Sequence, residues 1–163
     1  MMRIKATLFL IAILMCSVAG LAQEDTASAD ELNLSIERTL GVGMQLDFPF
    51  GGLLSARYWF SPDLAGEAIL FLWGGGGEVE GTITARALVR IADRPVVDFY
   101  GAVGASVPIT SYGWETIFLS AAGGIEFGFR FAPSLAWNIE FGIAYATDGE
   151  LGMVFGTGIH FYF

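Results

Sequence analysis

Hydrophobic and polar residues alternate with a period of two along most of the chain beyond residue 34. In residues 79–91, aliphatic side chains on one face oppose Glu80, Arg86 and Arg90 on the other, and residues 117–131 and 137–145 repeat the pattern. This period is typical of a β-strand with one apolar and one polar face. Turn residues divide the region into eight predicted strands. They cover residues 34–48, 53–60, 66–73, 78–92, 96–108, 115–132, 136–147 and 151–163, of which the third is apolar on both faces.

Three short turns of similar composition follow the second, fourth and sixth predicted strands. Residues 61–64, 92–95 and 132–135 each combine a proline with Asp or Ser, and these residues favour tight turns. An even number of antiparallel strands allows the sheet to close on itself, which leaves no unpaired edge. The predicted fold is therefore all-β, an eight-stranded antiparallel up-and-down transmembrane β-barrel.

The first residues have the pattern of an export signal. Arg3 and Lys5 precede an apolar run, and small residues near position 22 predict cleavage before Gln23. Residues 1–22 are thus assigned to a signal peptide, 23–33 to a flexible acidic leader and 34–163 to the barrel. Lipidation of Cys16 is an alternative, although Met15 before it is large for a lipidation site. After cleavage no cysteine would remain, which excludes disulfides and thiolate metal sites.

The net charge further limits the classes of protein to which this chain could belong. Without Arg3 and Lys5 the chain has six arginines, no lysine and 17 acidic residues, a net charge of −11. Such a balance argues against nucleic-acid binding, which requires a basic surface. A content of 54% hydrophobic residues without a long apolar run after the signal favours a membrane barrel. A soluble secreted barrel is the alternative, but its outward faces would carry many charges, whereas here Arg38 is the main one.

The inward faces of the predicted strands carry most of the charged residues. An eight-stranded barrel is just wide enough to be filled by its own side chains, and arginine binds carboxylates through a planar fork. A structural polar network is therefore predicted inside, with a narrow conducting path as the alternative. Its members are Glu37, Arg57, Glu80, Arg86, Arg90, Glu126, Arg130 and Glu140, and Asp47 and Glu67 are further inward carboxylates that could pair with these arginines. Arg130 is expected near Asn138 and Glu140.

His160 is the single histidine, on the inward face of the last predicted strand. No serine lies within a few residues of it, so a serine–histidine pair would need a residue from another strand. An interior structural histidine is the favoured interpretation. No catalytic residue, metal ligand or cofactor is predicted.

The segment from Gly123 to Tyr145 and the strand from Val97 to Gly104 resemble those of small OmpA-like, porin-family outer-membrane barrels. The final Phe161 and Phe163 are similar to the signal that the barrel-assembly machinery reads. The resemblance implies outer-membrane lipid and that machinery as partners, and a structural or envelope role with at most limited permeability. Two alternatives remain open: a carrier of a small apolar ligand, supported by Phe71, Trp73, Tyr112 and Trp114, and a lipid A-modifying acyl enzyme using His160. The oligomeric state is left open.

Overall fold

A computed structural model describes residues 38–75, 78–94, 96–110 and 116–163. The predicted signal peptide, the acidic leader, Glu37, Tyr112 and Trp114 lie outside these residues. None of the described residues forms a helix long and apolar enough to cross a bilayer.

Eight strands follow one another in the described chain, as the alternating pattern predicts. The third, whose two apolar faces gave the weakest periodicity, is also present and extends two residues beyond its predicted range at each end. The strands are β1 (Leu40–Phe48), β2 (Leu54–Ser61), β3 (Leu64–Gly75), β4 (Glu78–Arg94), β5 (Val97–Ile109), β6 (Phe118–Phe129), β7 (Ala132–Ala146) and β8 (Leu151–Tyr162).

Each strand pairs antiparallel with its neighbours in sequence, and β1 pairs with β8, so the sheet is a closed barrel. Eight residue pairs, from Gly41 with Tyr162 to Phe48 with Phe155, join the first and last strands. The Phe163 amide then donates to the Leu40 carbonyl at 2.9 Å. Closure satisfies the backbone of strands that would otherwise be edges. The predicted all-β fold, an eight-stranded antiparallel up-and-down barrel, is therefore confirmed.

Consecutive connections lie at opposite ends of the barrel. The turn end has the short β2–β3, β4–β5 and β6–β7 connections, and the loop end has the other four. Two predicted turns are displaced. Residues 92–94 belong to β4, which ends at Arg94, and residues 132–135 belong to β7, whose turn with β6 is at Arg130 and Phe131. Because the β6–β7 register shifts after Gly128, Pro133 lies where the ladder with β6 is interrupted, and no backbone donor is needed there.

The barrel is apolar outside and polar inside. On β1, the exposed residues Leu40, Val42 and Met44 alternate with positions that face the interior. Apart from residues next to the turns, the outward positions of the described strands carry no charged side chain. The outward hydroxyl of Thr157 is satisfied, because it accepts from Trp137 Nε1 at 2.9 Å and donates to the Asn138 carbonyl at 3.0 Å.

Candidate functional site: the charged barrel interior

Register places charged side chains of three neighbouring strands side by side. Arg57 on β2 pairs with Glu67 on β3, which in turn pairs with Arg86 on β4. All three point inward because they share the parity of the buried positions on their strands. Small residues beside them leave room for the long arginines: a methyl group added to Gly104, opposite Arg86, would overlap the Arg86 side chain.

Glu67 is the carboxylate with the most partners in this row. It accepts hydrogen bonds from Ser55 Oγ at 2.6 Å and from Arg86 Nε at 2.7 Å. Arg57 Nη2 lies 3.3 Å from both of its oxygens, and His160 Nε2 lies 3.1 Å from Oε1. A buried carboxylate is tolerated when such donors replace its hydration. Glu67 is therefore the residue on which the middle of the network depends.

Glu140 and Glu126, both on the predicted list, lie further around the barrel wall. Glu140 accepts from Arg86 Nη2 at 2.8 Å and from the Tyr100 hydroxyl at 2.5 Å. Glu126 accepts from Arg57 Nη1 at 2.5 Å, and the Tyr162 hydroxyl donates to it at 2.9 Å. The two arginines thus each join two carboxylates across the lumen, and strands distant in sequence are held together.

Arg38 is a member of this network that the sequence analysis placed on the outward face. That assignment is wrong: Arg38 Nη1 lies 2.8 Å from Asp98 Oδ2 and 2.7 Å from Glu126 Oε1. Counting outward positions from Leu40 would put residue 38 outside, but β1 begins only at Leu40. Because Arg38 precedes the strand, its side chain does not follow the alternation of β1 and points into the lumen at the turn end.

Arg90 lies at the turn end of the lumen. Its guanidinium carbon is 4.3 Å from the centre of the Trp59 ring, and its nitrogens are 3.6 Å from Asp93 Oδ2 and from Asp98 Oδ2. A guanidinium over an indole face is a favourable cation–π geometry. Asp98 accordingly lies between Arg90 and Arg38, and it joins the turn-end charges to Glu126.

Two residues of the predicted network are not part of it. Arg130 is exposed in the β6–β7 turn, because β6 ends at Phe129 and strand alternation no longer applies, and Glu140 pairs with Gly124 instead. Glu80 lies on β4 but is exposed at the loop end, and it forms no ion pair with the described residues. Glu37, another predicted member of the network, lies outside the described residues.

His160 is fully buried and does meet a serine from another strand. Its Nε2 lies 2.9 Å from Ser55 Oγ and 3.1 Å from Glu67 Oε1, and Ser55 also donates to Glu67. Both partners are therefore at the same ring nitrogen, whereas a catalytic relay places the nucleophile and the acid at opposite nitrogens. The contact was not predictable from spacing, since Ser55 and His160 are 105 residues apart and meet only through barrel closure.

The loop end of the lumen is apolar. Phe50, Ala144 and Val154 form a buried cluster against which Phe118 packs, with the Phe50 and Phe118 rings 5.1 Å apart. Ile69 is likewise buried on the inward face of β3. A second buried apolar cluster, which includes Trp59, Leu88 and Ala102, lies towards the turn end, so the ion pairs share the interior with apolar side chains at both ends.

The terminal aromatic residues lie outside the barrel at the turn end. Phe161 and Phe163 point outward, with rings 5.0 Å apart in an edge-on arrangement. Three further aromatic pairs lie at the same end: Tyr58 with Phe60, Phe127 with Trp137, and Phe129 with Phe131. Aromatic side chains thus concentrate around this rim.

The described residues include no group of three His, Cys, Asp or Glu side chains placed to hold a metal ion. The chain matches no protein-family model, and no curated protein is significantly similar to it. The arrangement itself is that of a closed barrel whose interior is filled by an ion-pair network.

Proposed function

We propose that the protein is an integral outer-membrane β-barrel with a structural or envelope role and at most limited permeability. The observation that carries this proposal is the inverted distribution of polarity: an uncharged outer face on the described strands and buried charges within. In water such an apolar outer face is unfavourable, whereas in a bilayer its side chains contact the lipid tails at no cost.

The aromatic rim supports the same proposal. Tyr and Trp, with Phe, are enriched where a barrel meets the membrane interface, and four aromatic pairs lie at the turn end. Phe48, Tyr145 and Phe155 are exposed at the loop end and would form the second belt. The turn end would then face the periplasm, and outer-membrane lipid and the assembly machinery would be the partners.

Limited permeability follows from how the lumen is filled. Arg57, Glu67 and Glu140 are completely buried, and the apolar cluster around Phe50 covers the opposite end. Ions crossing this interior would have to break several buried ion pairs, each costly to separate. The proposed role is accordingly non-enzymatic, with the barrel itself as the functional unit.

Reconstitution into lipid vesicles tests this role. The expected result is insertion with ion leakage near that of empty vesicles, and a marked increase in leakage when Glu67 and Arg86 are both replaced by alanine. Steady ion flux through the unaltered protein would contradict the structural role and favour a conducting one.

A second candidate function rests on the apolar cluster at the loop end. Phe50, Phe118, Val154 and Ile69 give the lumen a hydrocarbon-lined section, as a carrier of a small apolar molecule would need. Mass spectrometry of organic extracts from the purified protein distinguishes the two. A stoichiometric lipid that is lost in Phe50→Ala would favour the carrier.

A further inference from the structure

Two buried amide side chains reach towards each other across one glycine. Gly158 on β8 pairs with Gln45 on β1 and with Asn138 on β7, and both amides are fully excluded from solvent. A methyl group added to Gly158 would overlap Gln45 Oε1 and lie 2.6 Å from Asn138 Oδ1. Both oxygens therefore lie against the same inward surface of this glycine.

Hydrogen bonds fix which end of each amide faces Gly158. Gln45 Nε2 donates to Asp47 Oδ1 at 2.9 Å. Asn138 Nδ2 donates to the Tyr100 hydroxyl at 2.7 Å and to Glu140 Oε1 at 2.9 Å. Rotating either amide would turn its oxygen towards a carboxylate. Within the described residues, neither Gln45 Oε1 nor Asn138 Oδ1 has a donor, although buried acceptors almost always have one.

The next pair of inward positions continues this acceptor-rich surface. Gly156 pairs with Asp47 on one side and Glu140 on the other, and a methyl group added there would overlap Asp47 Oδ1. The two glycines thus form a floor bordered by the two amides and the Asp47 carboxylate, and the Gln45 amide nitrogen also lies 3.0 Å from the added methyl position at Gly156.

The charge balance of the interior points to the same place. Four arginines lie there (Arg38, Arg57, Arg86 and Arg90) with five carboxylates (Asp47, Glu67, Asp98, Glu126 and Glu140), so one carboxylate is unbalanced when His160, which lies 3.1 Å from Glu67 Oε1, is neutral. Asp47 is the most weakly compensated of the five. The nearest arginine nitrogen is Arg86 Nη1 at 3.6 Å, and Arg86 is closer to Glu67 and Glu140.

We propose that this glycine floor binds one monovalent cation of the size of Na⁺, held by Gln45 Oε1 and Asn138 Oδ1, with the Asp47 carboxylate beside the Gln45 amide as its counter-charge. Oxygen-only ligands suit hard cations. A single positive charge would balance the fifth carboxylate, which a water molecule would not do, and it would satisfy both amide oxygens. The site would stabilise the junction of β1, β8 and β7, where the barrel closes. The proposal is independent of the membrane assignment.

Urea unfolding of the full chain, refolded in detergent micelles, tests the site. NaCl is compared with N-methyl-D-glucamine chloride at equal ionic strength. Above the dissociation constant, each tenfold rise in Na⁺ should increase the folding equilibrium constant about tenfold. Gln45→Met, which keeps the volume and removes the oxygen, should abolish this dependence. Ser106→Ala, which removes a buried hydroxyl bonded to Thr84 at 2.7 Å away from the floor, should retain it.

Two results would overturn the proposal: equal stability in both salts, which would mean that a proton or bound water completes the site, or an unchanged Na⁺ dependence in Gln45→Met. If that variant fails to fold, equilibrium dialysis of the unaltered protein against radioactive Na⁺ decides. About one ion retained per chain supports the site, and retention no greater than in a protein-free control excludes it.

Discussion

Arg57 and Glu67 are directly opposed on β2 and β3, and Arg57 Nη2 lies 3.3 Å from Glu67 Oε2 with both side chains completely buried. Neither group can exchange its partner for water. The pair links two further members of the network, because Arg57 also contacts Glu126 and Glu67 also contacts Arg86. The stability of the barrel should therefore depend on residues that lie entirely inside it.

Replacing Glu67 by glutamine should destabilise the barrel by about 3–5 kcal/mol, because Arg57 and Arg86 would each lose a buried counter-charge. The free energy of unfolding in urea, measured with lipid vesicles, checks this. Glu80→Gln is the matched control, since Glu80 is exposed on the neighbouring strand, and a change within about 0.5 kcal/mol is expected there. Equal effects of the two substitutions would rule out a central role for Glu67.

Arg38→Leu should be more destabilising than Arg130→Leu, the reverse of what strand alternation predicts. Arg38 donates to Asp98 and Glu126, and losing hydrogen bonds to charged groups costs about 1.5–3 kcal/mol. Arg130 is exposed in a turn, so its replacement should change the free energy of unfolding by less than about 0.5 kcal/mol. The same unfolding assay compares both variants, and a larger loss from Arg130→Leu would restore the interpretation from sequence.

These two arginines show where sequence reasoning succeeds and where it ends. Within β4, β6 and β7 the alternation predicts the inward residues Arg86, Glu126 and Glu140, because a continuous strand keeps its parity. The parity is lost outside a strand and across a register shift, so Arg38 and Arg130 exchange their expected positions. The contact of Ser55 with His160 depends on barrel closure and register, which no local pattern contains.

Gly43→Ala should destabilise the barrel, whereas Gly152→Ala should not. A methyl group at Gly43 would overlap the Ile159 carbonyl on the neighbouring strand, and one at Gly152 has no atom within 4 Å. Overpacking of this kind typically costs about 1–3 kcal/mol. Gly43 also separates His160 from Ser55 in the register, so the larger side chain would disturb that hydrogen bond too. Urea midpoints compare the two variants, and equal midpoints would show that β1 and β8 can move apart freely.

A charge placed at the centre of the outer face should oppose membrane insertion. Val103 points outward near the middle of β5 and is 58% exposed, whereas Leu151 is 63% exposed at the end of β8. In a bilayer, Val103→Arg should cost about 2–4 kcal/mol and Leu151→Arg about 0–1 kcal/mol. Folding yields into vesicles measure the difference. If both variants folded equally well without lipid, the outer face would not be a membrane surface.

Phe163→Ala should slow assembly in cells without changing the stability of the folded barrel. The Phe163 side chain is 69% exposed and its amide completes the pairing with Leu40, so the substitution removes an outward ring and leaves the backbone bond. The substitution should therefore lower the protein level in the outer membrane and leave the urea midpoint of the refolded protein unchanged. Parallel losses in both would assign Phe163 a structural role rather than a role in recognition.

The most direct test of the membrane assignment is the gel mobility of the outer-membrane fraction in SDS, boiled against unboiled. A closed barrel held by a buried ion-pair network should resist SDS until heated, so the unboiled sample should give a compact, faster band that shifts on boiling. Recovery of the protein in the soluble periplasmic fraction, with no shift on heating, would contradict the account.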